Sequence, residues 1–68
     1  MIKNNDELES MLDRIRYFQR QVEQLRETET NPQNYRSSAG GFLAELDRMN
    51  LEVREYLSVH PSEIKNPA

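Results

Sequence analysis

The sequence predicts an all-α fold, a long antiparallel helical hairpin that pairs with a second copy into a four-helix bundle. Three observations point there. Tyr35, Ala39, Phe42, Leu46, Met49, Val53 and Tyr56 follow alternating steps of four and three residues. Leu8, Met11, Ile15, Phe18, Val22 and Leu25 follow the same alternation in the first half. A short polar stretch with a proline separates the two runs. Residues three and four apart share one face of a helix, so each run is a single apolar stripe with a seven-residue period.

Met1 to Asn5 reads as a polar lead-in. Asp6 is the expected N-cap of the first helix, with Glu9 three residues on to complete a capping box. No glycine or proline interrupts residues 6 to 30. The spacing predicts a helix over about 6–28. If Leu8 is heptad position a, Leu12 falls at e, beside the stripe, Arg14 at g and Arg26 at e.

Thr28 to Asn34 breaks the pattern with poor helix formers and Pro32. Two starts compete for the second helix. Asn31 before Pro32 is one cap signal; Ser37 and Ser38 are another. Gly40 and Gly41 favour the later start, because each costs about 1 kcal/mol inside a helix. Their alternative role is to let two helices approach closely. The reading adopted is a connection over about 29–37 and a helix over about 38–59, firm from Ala39. Pro61 disfavours helical geometry at His60 and closes the element. Residues 60–68 are expected to form a loose tail to a single domain spanning 1–68.

Helices of roughly 35 and 30 Å match well enough to lie side by side. A lone pair leaves much of each stripe wet, however. Leu12 widens the first stripe, and Leu43 and Leu57 widen the second, with Asn50 beside them. Tyr17 and Leu51 fall off the stripes altogether. A homodimer with an antiparallel four-helix core would hide these side chains, and a different protein partner would do so as well. The expected core and interface residues are therefore Leu8, Met11, Leu12, Ile15, Phe18, Val22, Leu25, Phe42, Leu43, Leu46, Met49, Val53, Tyr56 and Leu57.

Composition narrows the function. A 68-residue chain without cysteine and with one histidine has neither disulfides nor a thiolate or histidine metal cluster to stabilise it. A partner chain is the remaining route. The net charge of −3, with both signs intermixed, argues against direct nucleic-acid binding. No apolar run approaches the ~18 residues of a membrane span, and the N-terminus lacks a signal-peptide core, which suggests a cytoplasmic protein.

No site chemistry emerges. There is no Glu-x-x-His pair of the kind that binds metal inside helical bundles. His60, at a helix end, is expected to meet C-terminal carbonyls. Glu45 with Asp47, and Glu52 with Glu55, read as a solvated face. Ser37 and Ser38 lack a phosphate-loop pattern and a nearby base. Arg14 and Arg26 are expected to flank the seam and pair across helices. The expectation is a non-enzymatic chain with no cofactor, metal or catalytic residue.

Ile2-Lys3-Asn4 ahead of the first helix, then Gly41-Phe42-Leu43-Ala44-Glu45-Leu46-Asp47-Arg48-Met49 running on to Glu52-Val53-Arg54-Glu55-Tyr56, resembles a helical hairpin of small bacterial proteins. In that group it occurs alone or ahead of a helix-turn-helix domain of the repressor or antitoxin type. The similarity spans about residues 2–57, and the helix-turn-helix domain itself is not among these residues. The resemblance implies a cytoplasmic bacterial association module. Its second implication is an antitoxin-like or transcription-regulatory accessory protein that binds a toxin or a DNA-binding partner.

Overall fold

In the first helix, Asp6 and Glu7 place negative charge in the opening turn and Arg26 places positive charge in the last. Both complement the helix dipole. The computed structural model describes residues 1–63, and there the chain is two long helices packed against each other. Helix α1 spans Asn5–Thr28 and helix α2 spans Pro32–Leu57. A 3₁₀ turn over Pro61–Glu63 follows. The pair makes a rod of 55 × 16 × 14 Å.

The N-cap of α1 lies two residues ahead of the expected one. Asn4, not Asp6, is the N-cap: its side chain accepts the Glu7 N–H at 2.8 Å. The Glu7 carboxylate in turn accepts the Lys3 N–H at 2.8 Å. This is the reciprocal logic of a capping box, moved forward by two positions and reaching back one residue further.

The start of α2 also differs from the expected one. The helix begins at Pro32, so the connection is residues 29–31 rather than 29–37. Asn31 accepts N–H groups from both Gln33 (2.8 Å) and Asn34 (3.2 Å). Pro32 fits the first turn because it lacks an N–H that would otherwise need a partner. The early start also brings Tyr35, half-buried, onto the seam ahead of Ala39, which is only 1% exposed. Capping and burial together outweigh the helical cost of the two glycines.

Neither glycine serves close helix contact. Both are exposed, neither has a positive φ, and a Cβ added at either would meet nothing within 4 Å. The helix runs through them without a break.

The centre of the seam is Ile15, Leu46 and Met49, with Met11, Leu12, Phe18, Val22 and Val53 packed against them. Phe18 and Phe42 meet edge to face, with ring centroids 5.4 Å apart. Leu8, Leu25 and Tyr56 are half-buried along the same seam. Leu43 and Leu57, expected in the core or an interface, are 45% and 64% exposed within the single chain. Tyr17 and Leu51, off the stripes, are exposed as the spacing predicts. The helix ends at Leu57, with the Ser58 N–H closing on the Arg54 carbonyl at 2.9 Å. Of the loose tail expected over 60–68, residues 61–63 form the 3₁₀ turn, and 64–68 lie outside the described residues.

Two outcomes follow from this packing. Replacing Gly40 or Gly41 with alanine should stabilise the chain by about 0.5–1 kcal/mol each, since alanine gains helix propensity and meets no neighbour. Thermal melts followed by circular dichroism check this; an unchanged or lower melting temperature for both variants would count against it. Conversely, Leu46→Asp should abolish the cooperative melt, because it puts an unpaired carboxylate at a site only 7% exposed.

Candidate interaction surface

Two contacts set the register of the hairpin. Phe18 packs on Phe42, and the Tyr56 hydroxyl donates to Asn5 Oδ1 at 2.9 Å. Facing residue numbers therefore sum to 60 or 61. Because the helices run in opposite directions, the e positions of both fall along one flank of the seam and the g positions along the other. The recess lined by Ile2, Glu7, Arg14 and Glu52 agrees with this: the last three are g positions, and they lie together.

The g flank is polar and partly closed. Arg14, Gln21, Glu45 and Glu52 lie along it. Glu52 accepts from Arg48, and Arg48 also donates to Glu45 at 2.8 Å. The hydrogen bond and charge of Glu45, helped by Glu52, raise the Arg48 guanidinium above its ordinary pKa. At the open end of the hairpin the N-terminal segment folds over this flank. The Met1 amino group lies 3.3 Å from Glu52 Oε1, and Ile2 is 7% exposed.

Burial of Ile2 overturns the reading of residues 1–5 as a merely polar lead-in. The signal was present in the sequence: Ile2 stands just ahead of a cap-and-carboxylate pair, Asn4 and Glu7, and an apolar residue before a cap commonly packs back on the helix.

The e flank is apolar and open. It carries Leu12, half-buried, then Leu43, Asn50 and Leu57, all exposed. Tyr17 (55% exposed) and Leu51 (52%) sit further round and do not extend this strip. The expected pairing of Arg14 and Arg26 across helices is not found among the described residues. The side-chain ion pairs there are intrahelical: Arg16 with Asp13, and Arg48 with Glu45 and Glu52. Arg14 lies on the side where the N-terminal segment packs, and Arg26 faces no acidic residue on the register above.

His60 does not meet the helix carbonyls either. Its Nδ1 accepts the Ser62 N–H at 3.1 Å and lies 2.8 Å from Ser62 Oγ, while its own N–H donates to Glu63. The side chain closes the 3₁₀ turn instead, because Pro61 turns the chain away from the α2 axis.

Among the described residues no group of three His, Cys, Asp or Glu side chains is placed to hold a metal, and none of the polar side chains is buried. No helix there is long and apolar enough to cross a membrane. Ser37 and Ser38 are exposed on α2, remote in sequence and position from His60. What the geometry offers is a surface: a rod with one polar flank, covered at the open end by the N-terminal segment, and one flank that carries half-buried Leu12 and exposed Leu43 and Leu57. Comparison with protein-family models, with curated proteins and with solved structures finds no match to this chain.

The buried N-terminal segment is testable by itself. Ile2→Ala should lower stability by about 1–2 kcal/mol, less than the ~2–5 kcal/mol of an enclosed core site because the segment can lift away. Urea titration reads this out, and a variant as stable as the wild type would show that the segment contributes nothing.

Proposed function

We propose that this chain is a non-enzymatic association module whose working form is a homodimer of helical hairpins, packed as an antiparallel four-helix bundle. The observation that carries the reading is the concentration of Leu12, Leu43 and Leu57 on one flank, with the last two 45% and 64% exposed. A hairpin by itself buries little. Among the described residues, Ile2, Ile15, Ala39, Leu46 and Met49 alone are buried in the single chain, and of these Met49 alone is a large side chain fully enclosed. Covering the open leucines on two chains recovers roughly 1 kcal/mol per side chain, which is a large share of what so small a domain can muster. The opposite flank has no such need, because its carboxylates and the N-terminal segment already satisfy it.

The test is solution mass. Light scattering at micromolar concentration should give twice the 8.1 kDa chain mass. The double variant Leu43→Glu with Leu57→Glu should run as a monomer while keeping its helical circular dichroism, since neither side chain is needed within the seam. A monomeric wild type would overturn the reading.

A further inference from the structure

The uncovered flank has an internal symmetry that specifies how its occupant sits. Leu43 and Leu57 each stand seven residues from Asn50. On the register fixed by Phe18–Phe42 and Asn5–Tyr56, the only leucine that α1 adds outside its stripe, Leu12, lies level with Arg48 and Met49, one to two residues from Asn50. The midpoint of the apolar strip on α2 and the apolar excess of α1 thus lie within one or two residues of the same level along the rod.

The charges follow the same centre. Asp47 precedes Asn50 by three residues and Arg54 follows it by four. Glu9 precedes Leu12 by three and Arg16 follows it by four. Each helix therefore carries an acid on one side of the midpoint and an arginine on the other, at the same offsets.

Building on the dimer reading above, we infer that the occupant is a second copy of this chain, related by a two-fold axis that crosses the flank at Asn50 and Leu12. Such an axis lays α2 antiparallel on the partner's α2, and α1 antiparallel on the partner's α1. Leu43 then packs against the partner's Leu57, and Asp47 meets the partner's Arg54. On α1, Glu9 meets the partner's Arg16. Asn50 faces the partner's Asn50, where paired amides hydrogen-bond to each other and penalise slipped registers, the role a single asparagine plays in a helical seam. An isologous contact must be self-complementary in this way.

Two further observations agree. Asp47 and Arg54 form no ion pair within the chain among the described residues, and the Arg16–Asp13 pair is exposed at 60% and 74%, so it is readily exchanged. The axis also lies nearer the open end than the connection, so the overlap covers about residues 43–57 of α2 and 5–19 of α1. Beyond it the flank turns polar, with Arg26 on α1 and Arg36 on α2, as a surface left in water should.

The chain has no cysteine, so an introduced one reports proximity without interference. Under mild oxidation Asn50→Cys should form a disulfide dimer, because residues on the axis approach within the ~4.4–6.8 Å that a disulfide spans. Arg36→Cys, beyond the overlap, should not. Asp47→Arg and Arg54→Asp should each weaken the dimer about tenfold, and the double exchange should return it to near the wild-type affinity. If the wild type is dimeric but Arg36→Cys links and Asn50→Cys does not, or the double exchange fails to restore binding, the axis is overturned while the dimer stands. A monomeric wild type overturns both.

Discussion

The structure depends on one constraint: two helices packed side by side can enclose a line of contact but not a core. Each apolar residue on the seam is covered from the front by the facing helix and left open at its edges. Ile15, Leu46 and Met49 sit on the midline and are buried; Phe18, Val22 and Val53 flank them and are only half-buried. Every further gain in burial has to come from the flanks. The chain treats its two flanks differently, and most of what is distinctive about it follows from that choice.

On one flank the chain supplies its own cover. Asn4 caps α1 and fixes the direction in which the N-terminus leaves the helix. Glu7 holds the Lys3 N–H and Glu52 holds the Met1 amino group, and between these two anchors Ile2 is pressed onto the helices. The polar contacts are exposed and individually weak. Their effect is to orient the segment so that one isoleucine is removed from water, which is the larger contribution. Glu52 thereby serves the N-terminus and Arg48 at once, whereas sequence position alone suggests only a solvated carboxylate.

Much of this was legible in the sequence, for a physical reason. The seven-residue period is a property of helix geometry, so it identifies the inward residues without knowledge of the partner; Tyr35 through Tyr56 face the seam as their spacing requires. Competing local signals are harder to rank. Asn4 and Asp6 are equally good caps, each with a glutamate three residues on, and only the burial of Ile2 separates them. Asn31 and Ser37 compete in the same way. There the two glycines argued for the wrong answer, because propensity inside a packed helix is a small cost beside a double cap at Asn31 and the partial burial of Tyr35. Stripe width was also readable, from Leu12, Leu43 and Leu57. Its sidedness was not, since that depends on which residues face one another across the connection.

Sidedness is what turns a generic amphipathic hairpin into a specific surface. A helix pair with apolar excess on both flanks would polymerise, for each copy would offer two sites and no closure. Here the g flank is closed at the open end by Met1 to Lys3 and is otherwise lined by arginine, glutamine and glutamate. Among the described residues the e flank is the open one, and its leucines run from the open end only as far as Leu43, near the middle of α2. A single flank of limited length favours a closed pair over a fibre. On the proposed dimer, the same confinement accounts for the arginines on the remaining part of the flank. A leucine at position 26 or 36 would lengthen the strip past the midpoint defined by Asn50 and Leu12, and would stabilise shifted registers as well as the centred one. In the proposed dimer, Arg26 and Arg36 act by exclusion: their cost of burial restricts contact to the segment where apolar and charged partners match.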